Sequence, residues 1–216
     1  MFSSNSAWLR SVRSACRSRP RLWWVAVLAL GCVIAWGTVQ AVAQYGQGRA
    51  IAALARGGQV VYLRHAERLR GPKEDLSATS TANDYADCRQ QRNLTATGRK
   101  QAAELGAAWR ALGIPVGKVY ANAQCRTRDT ALLAFGRADL DPRIFDPGFV
   151  LQLLLERPTD NTNTIVVGND AQLRELTGID LDYGEAAWVV PDGVGRVRVA
   201  ARFGLNDWAG AVAGKH

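Results

Sequence analysis

Three short apolar runs constrain this chain most: Val60-Val61-Tyr62-Leu63, Lys118-Val119-Tyr120-Ala121 and Thr164-Ile165-Val166-Val167. They are too short and too rich in β-branched and aromatic residues for helices, and they suit strands buried on both faces. Helical patterns lie between them. Thr95 can cap a helix in which Ala102, Leu105, Trp109 and Leu112 recur at three- and four-residue spacing, and Gly113 stops it. A second helix is predicted from Cys125 to Phe135, ending at Gly136. Shorter ones follow over 149–155 and 171–176, the latter ending near Gly178. Ala186 to Val190 and Val197 to Ala201, separated by Pro191-Asp192-Gly193, predict a terminal hairpin. Strands alternating with helices predict an α/β fold, a three-layer α/β/α sandwich around a mostly parallel sheet. No internal repeat is present.

With 216 residues, 48% hydrophobic and 21% charged, the chain is no disordered, collagen-like or disulfide-dense sequence. The folded domain is expected over 59–210, preceded by a partly helical lead-in over 44–58 that ends at Gly57-Gly58. Residues 1–43 read differently. Five arginines, Arg10, Arg13, Arg17, Arg19 and Arg21, precede an apolar run from Leu22 to Val39 broken only by Thr38. Such a run is a membrane anchor or the apolar region of a signal peptide, and Ala41-Val42-Ala43 offers a cleavage site before Gln44. Leu30-Gly31-Cys32 only faintly resembles a lipoprotein site, because apolar sequence continues beyond it. Either favoured reading exports the domain to a periplasmic or other extracytoplasmic compartment, soluble after cleavage or anchored by the retained helix. The same arginines explain the net charge of +8, which falls to +3 without them. The remaining basic residues are scattered, so nucleic acid is not an expected partner.

Of four cysteines, only Cys88 and Cys125 lie in the domain. In an oxidising compartment they are expected to form a disulfide, the alternative being two separate buried thiols. No zinc-ligand spacing is present and there are only two histidines, so no metal is expected.

In a parallel sheet, ligands bind outside the carboxyl ends of the strands. That rule selects Arg64-His65, Asn122 with Arg126, and Gly168-Asn169-Asp170. Arginine matches phosphate through paired hydrogen bonds, and the helix after the second strand aims backbone N–H groups near Arg126. One imidazole among arginines suits nucleophilic attack on phosphorus and a phosphohistidine intermediate. The polar stretch from Leu69 to Arg92 reads as a functional loop that shapes specificity.

These residues resemble a known family. Val60 through Arg64-His65-Ala66-Glu67 is similar to the Arg-His motif of the histidine phosphatase (phosphoglycerate-mutase-like) superfamily. Arg92-Asn93-Leu94-Thr95 through Gly98-Arg99 to Ala102 resembles its "R-x-L-T-x-x-G-x-x-x-A" stretch. Val119 to Ala131, with Cys125-Arg126 and Thr130-Ala131, is similar to its "S-x-x-x-R-x-x-x-T-A" segment. Ile165-Val166-Val167-Gly168 resembles the strand before its second histidine, so the resemblance spans about residues 50–205. It implies a phosphoglycerate-mutase-like fold with no cofactor. It implies that His65 is the nucleophile, with Arg64 and Arg126 binding the phosphoryl group of a phosphorylated small molecule.

Two departures matter. Asn169 stands where the family has its second histidine, and Asn122 where a serine is usual. Losing one charge-assisted hydrogen bond costs about 1.5–3 kcal/mol, which leaves room for a slow phosphomonoesterase or for an inactive phosphoryl-ligand binder on the same fold. A phosphosugar mutase is a third reading, set back by the same missing histidine. Asp170, directly after Asn169, is the preferred general acid, with Glu156 and Glu67 as alternatives. The oligomeric state is left open.

Overall fold

The three apolar runs form the centre of a six-stranded sheet with spatial order β3-β2-β4-β1-β5-β6. The strands are β1 (Val60–Arg64), β2 (Val116–Ala121), β3 (Asp139–Leu140), β4 (Asn163–Gly168), β5 (Ala186–Pro191) and β6 (Val197–Phe203). The β1/β4, β2/β4 and β2/β3 pairs are parallel, and β5 runs antiparallel to both neighbours. β5 is thus the one reversed strand, and the hairpin it makes with β6 is the one expected at the end of the domain. The computed structural model describes residues 25, 27, 28, 46–71, 80, 81, 84, 85 and 87–215.

The longer helices lie within Gly46–His216, one of the two compact units into which the chain divides. They are α1 (46–56), α2 (Ala96–Leu112), α3 (Cys125–Phe135), α4 (Pro147–Leu155), α5 (Asp170–Thr177) and α6 (Leu205–Ala213). Period-two alternation sends the strand side chains to two separate cores. Val61, Leu63, Val119, Ala121, Ile165 and Val167 pack on one face with Leu54, Leu105, Trp109, Ala131 and Trp208, from α1, α2, α3 and α6. Val60, Tyr62 and Val166 pack on the other with Val150, Leu153, Leu154 and Leu173, from α4 and α5. Covering both faces explains why all six residues of β4 are buried and why Ile165, Val166 and Val167 follow one another without a polar residue.

Local chemistry sets the helix ends. The Thr95 hydroxyl accepts from the Gly98 N–H, and Gly113 takes the left-handed conformation (φ 68°) that closes α2. Glycine at 106 lets α2 lie against α3, since a Cβ there would meet the Ala134 carbonyl at 2.0 Å.

Two segments differ from the sequence reading. The lead-in is structural: Ala50 and Leu54 of α1 are buried in the first core. The chain after β6, which carried no helix expectation, forms α6. Its alanines and glycines give little periodicity, yet Trp208 is 1% exposed and stacks on Phe203 at 4.5 Å, with Trp109 at 5.4 Å. The expected signal or anchor over 1–43 lies outside the described residues, apart from helical Val25, Val27 and Leu28. Among the described residues no helix is long and apolar enough to cross a membrane. The loop expected over 69–92 is described in part, at 69–71, 80, 81, 84, 85 and 87–92.

Candidate active site

β1 delivers Arg64 and His65 to the carboxyl edge of the sheet. The His65 N–H donates to the Gly168 carbonyl at 3.0 Å, and its own carbonyl accepts from the Gly184 N–H at 3.2 Å. The imidazole is therefore fixed between the end of β4 and the turn before β5, and it is only 2% exposed. Nδ1 lies 2.8 Å from the Ala66 carbonyl oxygen. A carbonyl only accepts, so Nδ1 carries the proton and Nε2 keeps its lone pair. Burial, then the positive charge of Arg126, and after these Arg64 and Arg68, push the His65 pKa down to about 3 against the opposing Ala66 hydrogen bond. The imidazole is neutral near pH 7, as a nucleophile must be.

The turn after β2 delivers Arg126. The buried Asn122 side-chain oxygen accepts from the Gln124 N–H at 3.1 Å and from the Thr127 hydroxyl. This turn starts α3, placing Arg126, 5% exposed, in its first turn. Arg126 donates through Nε and Nη2 to the Asn169 side-chain oxygen at 3.3 and 3.1 Å. The Asn169 amide in turn donates to Gln124 Oε1 at 3.2 Å. Asn169 is the N-cap residue of α5 but makes no side-chain cap bond, which leaves its amide for these partners. Gly168 has no room for a side chain: a Cβ would sit 2.1 Å from the Tyr62 hydroxyl, which donates to the Asn169 carbonyl.

Arg64 completes the cluster. Its Nη1 donates to the Leu181 carbonyl, Nη2 lies 3.8 Å from Asp170 Oδ2, and the Tyr183 ring lies 4.3 Å from the guanidinium carbon. Two buried donors at this edge have no partner among the described residues, Arg64 Nε and Asn122 Nδ2. Buried N–H donors beside arginines suit the oxygens of an anion.

Cys88 and Cys125 are joined, with Cα atoms 5.8 Å apart. The bond ties the loop after β1 to the first residue of α3, next to Arg126. Gln91 adds a second tie: its Oε1 accepts from the Cys125 N–H at 2.8 Å, and its amide donates to the Asp84 and Tyr85 carbonyls.

The three candidate acids separate. Asp170 opens α5 between Arg64 and Arg174, 3.8 and 3.7 Å away, with its side chain 29% exposed. Glu67 accepts from the Thr95 hydroxyl at 2.7 Å and so ties the loop after β1 to the cap of α2. Glu156 does not come to the site. It follows α4 and lines, with Lys118, Arg157, Asp160 and Thr162, a cleft of about 240 Å³ at the opposite, amino end of the sheet. The reason is topological: a crossover helix runs back against its strands, so the end of α4 lies where β4 begins.

The sequence reading missed Arg68, Gln124 and Tyr183. Arg68 is half-buried and adds its charge to the field on His65. Its place three residues after His65 was a visible signal. Gln124 could have been found from its position at the start of α3. Tyr183 sits in an ordinary turn after α5, and nothing local marks it. Among the described residues no three His, Cys, Asp or Glu side chains gather as a metal site.

No family model and no curated protein matches the chain. Solved structures do. The protein histidine phosphatase SixA, determined with tungstate, is 14% identical, with a TM-score of 0.47 over 69% of this chain and 98% of its own. Phosphoserine phosphatase from Entamoeba histolytica, determined with 3-phosphoglyceric acid, is 11% identical, with a TM-score of 0.46 over 68% and 96%. Phosphoglycerate mutase from Thermus thermophilus is 21% identical, with a TM-score of 0.43 over 68% and 98%. All three likenesses are at low sequence identity.

Proposed function

We propose that this chain is a phosphomonoesterase acting through a phosphohistidine on His65. One observation carries the reading: a buried, neutral imidazole with its Nδ1 proton held by the Ala66 carbonyl stands in the field of Arg64, Arg68 and Arg126. The Nε2 lone pair forms a bond to phosphorus as the ester P–O bond breaks. Asp170 gives a proton to the leaving oxygen. Water then attacks phosphorus, the Asp170 carboxylate takes the proton, and the P–N bond breaks to return the lone pair to Nε2. Arg64, Arg126 and the Asn122 amide stabilise the equatorial oxygens throughout.

The second reading is a phosphoryl-ligand binder without turnover. It is favoured by Asn169, which adds no charge and whose side-chain oxygen already accepts from two N–H groups of Arg126. Export belongs to the proposal as well. The arginine-led apolar run of residues 1–43 supports it, as a cleaved signal or a retained anchor, and so does a disulfide within the domain.

The test uses the full chain in detergent micelles with an aryl phosphate. Turnover with an acid-labile, alkali-stable phosphoenzyme that His65→Ala abolishes supports catalysis. Phosphate binding without turnover or phosphoenzyme selects the binder.

A further inference from the structure

We propose that Tyr183 is the positioning residue of this site: one face of its ring clamps the Arg64 guanidinium while the same ring closes the His65 imidazole off from water. The inference rests on the reading of His65 as the reacting group. Two distances carry it. The Arg64 guanidinium carbon lies 4.3 Å from the ring centroid, and the His65 ring centroid lies 5.5 Å away at a tilt of 36°.

The turn that brings Tyr183 there is built onto the backbone of the same two residues. The Arg64 N–H donates to the Glu185 carbonyl at 3.0 Å, and the Gly184 N–H donates to the His65 carbonyl at 3.2 Å. Gly184 turns at φ 72°, a conformation in which glycine carries no penalty. Glu185 fixes the turn from behind. It is 7% exposed, accepts from the Asp182 N–H at 2.7 Å, and takes both Nε and Nη2 of Arg202 at 2.7 and 2.8 Å. The ring is therefore delivered by a rigid loop whose position follows any movement of β1.

Stacking suits this task chemically. A guanidinium bound by its face keeps its in-plane N–H groups for other partners. On Arg64, Nη1 is held by the Leu181 carbonyl, and Nε has no partner among the described residues. The ring thus orients the cation without consuming a donor that a phosphoryl oxygen needs. Both contacts are made by the ring.

Protonation of His65 is the sensitive readout. The groups facing it are Arg64 from β1, Arg68 from the loop after β1, Arg126 from α3 and Tyr183 itself, with Asp170 of α5 beyond Arg64. Burial is the largest cause of the depressed basicity of His65, and Tyr183 supplies one wall of that burial. Removing the ring admits water, stabilises the imidazolium and moves the titration up toward the ordinary value of 6.5. Only neutral His65 attacks phosphorus, so the acid limb of kcat/KM then moves to higher pH.

The experiment compares the full chain in detergent micelles with Tyr183→Phe and Tyr183→Leu by ¹⁵N NMR of labelled histidine between pH 5 and 7. The chain has two histidines, and His65→Ala identifies the signal of His216. Expected are a neutral His65 throughout in the wild type and in Tyr183→Phe, and a clear titration within the window in Tyr183→Leu. Inorganic phosphate should bind Tyr183→Leu about tenfold more weakly, and Tyr183→Phe within about twofold of wild type. An unshifted His65 in a folded Tyr183→Leu overturns the proposal. So does a Tyr183→Phe as damaged as the leucine variant, which would move the role to the hydroxyl. Neither readout needs turnover, so absence of phosphatase activity would remove the catalytic reading and leave this inference to be judged on its own.

Discussion

The two ends of the central sheet carry similar charges in opposite circumstances. At the amino end, Lys118, Glu156, Arg157 and Asp160 border an open cleft and are all exposed. Lys118 interacts first with the Tyr120 hydroxyl and then with the carboxylates of Glu156 and Asp139, and Asp160 is satisfied by the Thr162 N–H and hydroxyl at 3.1 and 2.6 Å. At the carboxyl end, Arg126 is almost fully buried, and three arginines act on one buried imidazole. The Asp170 carboxylate stands 3.8 Å from Arg64 and is shared with Arg174, and the buried Glu185 also acts on Arg64. Exposed, paired charges are screened and contribute little. Charges held in a buried site are screened far less and act strongly on one another. A site here is defined by burial and by imbalance of charge, and the number of charged residues does not distinguish the two ends.

Breaking the buried end should have the largest effect. Arg126→Leu is expected to lower kcat/KM about a hundred- to a thousandfold, the usual cost of removing one preorganised donor from developing negative charge. Steady-state kinetics on an aryl phosphate check it, with Lys118→Leu as the matched change at the other end, expected within about twofold.

The disulfide comes next, because it holds the loop against the buried end alone. Closing a 37-residue separation stabilises by about 2–4 kcal/mol in the chain-entropy picture. Urea unfolding with and without dithiothreitol should show a loss of that size. Equal midpoints would show that Gln91 and the packed core hold the loop without the bond.

Asn169→His sharpens the comparison by adding an imidazole to the buried end. It removes the oxygen that accepts from Arg126 and supplies a donor for the phosphoryl oxygens. Activity is expected to rise about tenfold to a hundredfold, the value of one charge-assisted hydrogen bond in the transition state. No change in an already efficient enzyme would mean that another group does that work.

Glu156→Gln is the smallest effect expected. Because Glu156 lies at the amino end, kcat and KM should stay within about twofold of wild type. A large loss would bring the amino-end cleft into the reaction and collapse the distinction between the two ends.

Much of the fold was legible. Val60 to Leu63 and Thr164 to Val167 announced central strands because both their faces are covered. Thr95, Gly113, Gly136 and Gly178 marked helix ends through the capping and left-handed conformations they adopt. α6 was not legible, because it is held by Trp208 against Phe203 and against Trp109, the latter 99 residues away, and such contacts leave no local period. β3 was too short at two residues to leave one.

The sequence by itself determined that strands ending in Arg64-His65, Asn122 and Asn169 would bring those residues to one edge, because parallel strands share a direction and local propensity fixes where each strand ends. Only the tertiary structure decided which groups stand among them. It turned α4 back and carried Glu156 to the far end, brought Tyr183 over Arg64 through a turn hydrogen-bonded to β1, and set the Asn169 oxygen on Arg126. The sign and size of the field on His65 were settled at the same level. They depend on how deeply the imidazole is buried and how near the cations of three separate segments come, and both quantities exist only once distant parts of the chain are packed together.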